Sequence, residues 1–317
     1  MTRMTLKQLA ELSGFSIRTV NRVLKNQGSV SEEKRERILS LAAQYHYVPN
    51  MAARNLRLNR RNFVGILFNN MDTEVFAQKI MNLEERLSSA GYYPILGTPG
   101  GNSEKLAETL RDWSGMADYI IVMTHTAELS YFPENQPLQF IFVDCQPLSG
   151  SHSIQIDRTS GVRDAVHYLF SKGRRKILHC GVLENRKKGV IRAFGEIPQD
   201  SGAEMLFLQL RGEFESGYEH GARIMVTGAD AVIFDTDRMA AGFLKFAAQN
   251  GIEVPKRISV IGFDDNTFTK MSSPSLSTVA QPIEEINSCI MDIIEKNPED
   301  RVSATFRTRF IPRESVD

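Results

Sequence analysis

TLKQLAELSGFSIRTVNRVL, residues 5–24, decides how this chain begins. Thr5 is a helix-capping hydroxyl, and Gln8 three residues later completes a reciprocal cap. Leu6, Leu9, Ala10 and Leu12–Ser13 are expected to form one compact face. Ser13-Gly14 breaks the helix, because glycine enters a left-handed turn at the lowest cost. Ser16 caps a second helix whose inward face is Phe15, Val20, Val23 and Leu24. Further on, Ser31 caps a third helix, with Glu32 and Glu33 in the first turn where the helix dipole favours acid. Its apolar stripe is Ile38, Leu41, Ala42 and Tyr45. A small residue where two helices touch (Ala10), a turn former four residues on (Gly14), then buried Val20 and Val23 is the spacing of a helix-turn-helix.

That spacing turns Ile17, Arg18, Asn21 and Arg22 outward. An exposed isoleucine on a short helix has little structural reason, but it can meet a thymine methyl in the major groove. Arg18 and Arg22 suit guanine edges or phosphates, and Ser16, Thr19 and Asn21 suit phosphate oxygens. A plain amphipathic bundle would share the caps but would explain neither Ile17 nor the charge. The whole chain of 317 residues has zero formal net charge, yet residues 1–62 hold 12 Lys/Arg against 4 Asp/Glu. The remainder is acidic by the same amount, so a basic head precedes an acidic body.

Residues 45–62, YHYVPNMAARNLRLNRRN, lead out of the head. Pro49 ends the third helix. MAARNLRL has helix propensity but is too short to be stable alone in water. Paired with its twin from a second subunit and laid on DNA it can order, with Leu56 as an apolar wedge for a minor-groove base step.

After Asn62 the texture changes. Apolar strands FVGILF (63–68), YYPILG (92–97), YIIVM (119–123) and FIFVDC (140–145) alternate with helical stretches. The pattern restarts at 161 with GVRDAVHYLFSKG, KILHCG, a helix after Arg186, MLFLQL, a helix GYEHGARIM, AVIFD, a helix 237–250 and ISVIGFDD. Two αβ halves in succession imply two lobes facing across a cleft, with ligands outside the carboxyl ends of the strands. Composition excludes other classes. No apolar run is long enough to span a membrane, and the first residues carry no apolar secretory stretch. Three scattered cysteines fit a reducing cytoplasm, and six histidines make no i,i+4 metal pair. No GxxxxGK[ST], GxSxG or GxGxxG motif follows a strand, so an enzyme is not expected. GTPGGN (97–102) reads as a turn.

Residues 5–62 closely resemble the DNA-binding headpiece and hinge of LacI-type bacterial transcription regulators, through TLKQLAELSGFSIRTVNRVL, VS..KR..I and YVPN.AAR.L. Asn21 and Lys25-Asn26 depart from the usual pattern. The body resembles that family's effector-binding core, which looks like a periplasmic sugar-binding protein. The matching residues are Asp157 and Gly161, R186KKG189, G212EFESGY218, D237RMAAG242, V254PKRISVIGFDD265, PSLSTVAQP (274–282) and PRES (312–315).

The resemblance implies an α/β fold class: an all-α helix-turn-helix headpiece (1–48), a hinge helix and linker (49–62) and a two-lobed core (63–317). It implies a first lobe of about 63–156 with 282–304 and a second of about 157–281 with 305–317. DNA contacts are expected at Thr5, Ser16, Ile17, Arg18, Thr19, Asn21, Arg22, Asn50, Ala53, Arg54 and Leu56. Effector contacts are expected at Arg186, a clamp for hydroxyls or carboxylate; Phe214, a flat face for a ring; and Asp264, an acceptor for two hydroxyls. Phe76 is expected to close the opposite wall, with Asp72 (and Asn69) nearby. Thr236 and Arg158 stand where the family usually has asparagine. Arg158, near Arg186-Lys187-Lys188, would favour an anionic effector such as a sugar phosphate or sugar acid.

The implied protein is a cytoplasmic homodimeric repressor of a carbohydrate-utilisation operon. It would bind an inverted-repeat double-stranded DNA operator and answer to a sugar or sugar derivative, with no cofactor, metal or membrane. The alternative is an effector that is not a neutral sugar (a sugar phosphate, sugar acid or nucleobase), or an activating or co-repressed regulator.

Overall fold

A computed structural model describes residues 4–24, 29–47, 62–68, 73–100, 102–123 and 139–316. The chain divides into two compact units, residues 1–62 and 63–317.

In the first unit, helices α1 (Leu6–Ser13), α2 (Ile17–Leu24) and α3 (Glu32–Gln44) pack around Leu9, Ala10, Val20, Val23 and Ile38. The cap of α1 is reciprocal: the Gln8 amide donates to Thr5 Oγ1 at 3.3 Å, and the Thr5 amide donates to Gln8 Oε1 at 2.8 Å. Gly14 turns the chain at φ 76°, and the Thr19 amide donates to Ser16 Oγ at 3.2 Å to start α2.

Three expectations fail here. Leu12 is exposed, because at about 100° per residue it faces away from the Leu6–Leu9–Ala10–Ser13 stripe. Tyr45 is also exposed, since α3 ends at Gln44 and Tyr45 leaves its line as the C-cap. Ser31 precedes α3 but its side chain makes no capping bond.

The second unit holds two six-stranded sheets. The first has the order β11-β5-β4-β3-β1-β2, built from β1 (Phe63–Phe68), β2 (Tyr93–Gly97), β3 (Ala117–Met123), β4 (Gln139–Val143), β5 (His152–Asp157) and β11 (Ser303–Arg307). The second has the order β12-β10-β9-β8-β6-β7. Its strands are β6 (Lys176–Cys180), β7 (Glu204–Leu208), β8 (Ala231–Phe234), β9 (Ser259–Asp264), β10 (Ser277–Ala280) and β12 (Arg309–Ile311). Each lobe winds 2-1-3-4-5 and takes a sixth strand from the chain's end. All pairings are parallel except β10 with β12. Helices cover both faces, so strands such as FVGILF and SVIGFD are buried along nearly their whole length, the second including its polar ends Ser259 and Asp264.

The chain passes between lobes after Asp157, around Gln281–Pro282 and at Thr308. The expected 304/305 boundary therefore falls inside β11, whose residues through Arg307 pair with β5. Strands β5, β10, β11 and β12 are not evident as apolar runs. β5 (HSIQID) is polar because its groups find distant partners: the Val302 amide donates to His152 Nδ1 at 3.1 Å, and Gln155 Nε2 donates to the Cys145 carbonyl at 2.9 Å. The helix expected at GYEHGARIM is broken at His220 into two short helices, Phe214–Glu219 and Gly221–Val226.

Candidate functional site

The core site forms where two strand ends meet three helices. β4 ends into Asp144, and β9 ends in Asp264. Arg158 is the first residue of helix Arg158–Ser171, and Arg186 lies in the first turn of helix Glu184–Glu196. Lys79 comes from helix Glu74–Ser89 of the first lobe, on the buried stripe Val75, Lys79, Leu83, Leu87. Asp144, Asp264 and Asp265 sit at φ 58°, 110° and 56°. Such backbone costs energy for a residue with a Cβ and is held by its surroundings.

The holding is visible at Asp265, where Arg313 Nη2 donates to Oδ1 at 2.5 Å. Arg313 Nη1 also donates to Thr269 Oγ1 and to the Leu276 carbonyl, at 2.9 and 2.7 Å. The PRES segment thus locks the loop after β9. Beneath it, Asp237 is fully buried; it accepts from Thr278 Oγ1 at 2.5 Å and from the Asn266 amide at 2.8 Å. Burial pushes its pKa well above the usual carboxylate range.

Charged groups follow a chain across the lobes. Arg158 is paired with Asp144 through both terminal guanidinium nitrogens, Nη1 and Nη2, at 2.6 and 2.5 Å. Lys79 Nζ donates to Gln281 Oε1 at 2.6 Å, and Gln281 Nε2 donates to Asp264 Oδ1 at 2.5 Å. Arg186 Nη2 stands 3.9 Å from the same Asp264 oxygen, beyond a hydrogen bond. The guanidinium lies 4.0 Å over the Phe263 ring. Arg186 is 6% exposed, and its Nε is buried with no hydrogen-bond partner among the described residues. Burial lowers the pKa of Arg186 and raises that of Asp264, each only partly opposed by the other. The pair is too loose to offset its own desolvation.

Asp235, also fully enclosed, organises the approach to Arg186. It accepts from His179 Nε2 at 3.1 Å and from the amides of Val182 and Leu183 at 2.6 and 2.8 Å. A further link between lobes runs from the Thr267 amide to Glu74 Oε1 at 2.8 Å.

In the first unit, Ile17, Arg18 and Arg22 are exposed, and Asn21 and Thr19 are half-buried. Ile17 is 45% exposed, an apolar side chain displayed on the helix that also exposes Arg18 and Arg22. The hydroxyls of Thr5 and Ser16 are engaged in the caps, and Ser16 Oγ also lies 2.9 Å from Thr19 Oγ1.

Residues 5–50 match the family described as bacterial regulatory proteins, lacI family, and residues 166–316 match a periplasmic binding protein-like domain. The chain carries the DNA-binding domain of the LacI family. It therefore joins a helix-turn-helix DNA-binding domain to a periplasmic-binding-protein-like domain, and its class is transcription regulation. It is 27% identical over 299 residues to the regulator DegA of Bacillus subtilis, covering 90% of this chain and 88% of DegA. It is 28% identical to the ribose operon repressor of Bacillus subtilis, covering 98% of both chains. In three dimensions it resembles the lac repressor dimer bound to operator and an anti-inducer, with a TM-score of 0.77, 20% identity and 99% of each chain covered. Among the described residues no helix is long and apolar enough to cross a membrane.

Within the core the structure brings Arg158, Arg186 and Asp264 together but gives them unequal freedom. Arg158 is engaged by Asp144, so its charge is already met. Phe214 lies under Lys245, 5.6 Å from its Nζ, which also caps Tyr218. Phe76 packs on Phe68 at 5.9 Å, against the first lobe's core. Thr236 Oγ1 accepts from the Met239 amide as the cap of helix Asp237–Gln249. Asp72, Asn50, Ala53, Arg54 and Leu56 lie outside the described residues.

Sequence reasoning missed Lys79, Asp144, Gln281 and Asp235. The signal for Lys79 was a lysine on an apolar i,i+4 stripe; for Asp144 it was an acid at the carboxyl end of a parallel strand.

Burial holds the Lys79 pKa at about 8, against an ordinary 10.5, with Arg158 lowering it further and Asp144 and Asp264 opposing. Between these values the unfolded chain keeps the proton that the folded chain releases, so this group makes stability rise with pH. Comparing wild type with Lys79→Met by denaturant unfolding isolates it. From pH 8 to 10.5 the difference should move in favour of wild type, by at most roughly 3 kcal/mol. A pH-independent difference would mean Lys79 is not desolvated.

Proposed function

We propose that the protein is a sequence-specific repressor of a carbohydrate-utilisation operon whose operator affinity is set by a sugar or sugar derivative bound between the core lobes. The reading takes residues 1–48 as the DNA-binding headpiece, 49–62 as the hinge and 63–317 as the effector-binding and dimerising core. It places the protein in the cytoplasm as a homodimer, because one head reads half a site and two heads read an inverted repeat. It assigns no enzymatic step to the chain.

The observation that carries it is Arg186. A buried guanidinium whose Nε has no partner and which makes no hydrogen bond with the described residues, beside an aspartate whose Oδ2 takes none from them, is a costly arrangement for structure alone. Donor and acceptor side by side suit a sugar hydroxyl that accepts from Arg186 and donates to Asp264. The site draws on both lobes, through Asp144 and Lys79 on one side and Arg158, Arg186 and Asp264 on the other. A ligand there biases their spacing, and such coupling typically changes DNA affinity by ~1–3 kcal/mol.

The test starts with selection of duplexes from a random pool by the full-length protein. An inverted repeat is expected. Ile17→Ala and Arg22→Ala should each weaken binding of the selected duplex by roughly 10- to 100-fold while changing random-duplex binding less. A selection without symmetry, or variants that bind the selected duplex like wild type, overturns the reading.

A further inference from the structure

The cations of the core site differ in what their N–H groups do. Both nitrogens of Arg158 that face Asp144 are satisfied by it. Lys79, 5% exposed, has three N–H donors and makes one hydrogen bond, to Gln281 Oε1. Arg186 has five and makes none with the described residues. The acceptors nearby are largely taken. Asp144 holds Arg158, Asp235 accepts from three N–H groups, and Asp264 Oδ1 accepts from Gln281.

Lys79 and Arg186 converge on one atom. The lysine reaches Asp264 Oδ1 through the Gln281 amide, and Arg186 lies 3.9 Å from it. Because an ammonium only donates, Lys79 fixes the Gln281 amide with its oxygen toward the lysine and its NH2 toward Asp264. The site thus holds a marked excess of unused donors on two buried cations. A neutral hydroxyl brings one donor with its two acceptor lone pairs, and that donor needs an acceptor of its own, whereas a carboxylate or phosphate dianion brings acceptors alone.

We propose that the effector carries an anionic oxygen group, bound by Arg186 and Lys79, with Asp264 taking a neighbouring hydroxyl. The inference rests on the core being an effector site, as proposed above. It moves anion recognition away from Arg158, which Asp144 neutralises, to Lys79 on the opposite lobe. Lys79 is then the residue that distinguishes a sugar acid or sugar phosphate from the parent sugar.

The experiment uses the full chain and defined probes. Thermal melts and calorimetry are run with inorganic phosphate, D-ribonate, D-gluconate and D-ribose 5-phosphate. Controls are D-ribose, D-glucose and sodium chloride at matched ionic strength. The anions are expected to raise the melting temperature where the controls do not, and Lys79→Met should weaken their binding at least tenfold. Lys79→Met removes a buried charge, so loss of fold does not obscure the result; its melt without probe verifies this. Response to phosphate and its ester alone identifies a phosphate group, and response to the aldonates identifies a carboxylate; either supports the proposal. Neutral sugars binding as well as their acids, or Lys79→Met leaving anion affinity unchanged, overturns it while the effector site stands. If neither anions nor sugars bind, the effector-site reading falls with it.

Discussion

Gly242→Ala is expected to lower the melting temperature of the core by on the order of 10 °C, corresponding to about 3 kcal/mol or more. Helices Phe214–Glu219 and Asp237–Gln249 meet backbone to backbone at two glycines. A Cβ on Gly242 would stand 1.9 Å from the Phe214 carbonyl oxygen, and one on Gly217 would stand 1.9 Å from that of Met239. Those oxygens belong to helix backbones and cannot rotate aside. The helices must part, and Phe243, fully buried at their junction, loses its packing. The control lies in the same lobe. Gly195 is helical, exposed and has nothing within 4 Å of its would-be Cβ. Gly195→Ala should therefore be neutral or stabilising by about 0.5–1 kcal/mol, from helix propensity alone. Differential scanning calorimetry of both variants separates the two cases; equal effects would mean the helices do not touch as described.

Removing both members of the loose central pair is expected to separate stability from response. In Arg186→Met with Asp264→Asn no buried charge of the pair is left uncompensated. Asparagine also tolerates the positive φ at 264 better than most residues. The change should be neutral or stabilising by roughly 1–3 kcal/mol, because the native pair stands 3.9 Å apart and both partners are desolvated. Loss of the Phe263 stacking offsets part of the gain. The same variant should bind the selected operator duplex like wild type but lose at least 100-fold in affinity for whichever sugar or sugar derivative wild type binds. A variant that is markedly less stable, or one that still responds, would show that Arg186 and Asp264 hold the fold and not the effector.

Much of this was legible in the residues. The head was readable because its signals are local: Thr5 and Gln8 are three apart, Gly14 stands at the turn, and Val20 and Val23 repeat at helical spacing. The alternation of apolar strands and helices was readable for the same reason. β5 and β10–β12 were not, since they are short or polar, and β5 and β11 find each other from well-separated parts of the core sequence. At the site, Arg186 and Asp264 could be anticipated from motif and strand end. The fate of Arg158 could not, because the pattern that marks it does not contain Asp144.

The sequence by itself determined the helix-turn-helix head, the break near Asn62, the two αβ halves and the family. The first three rest on periodicity, spacing and charge read locally, where covalent geometry fixes which side chains share a face; the family rests on the resemblance of motifs running from Thr5 to Ser315. Only the tertiary structure decided which charges meet. Lys79 and Gln281 are 202 positions apart, and they meet because the chain crosses between lobes at Gln281–Pro282. That crossing links a lysine on a helix stripe, through the Gln281 amide, to Asp264. The strand-end Asp144 similarly turns Arg158 from a free charge into a paired one, leaving Arg186 as the guanidinium with donors to offer.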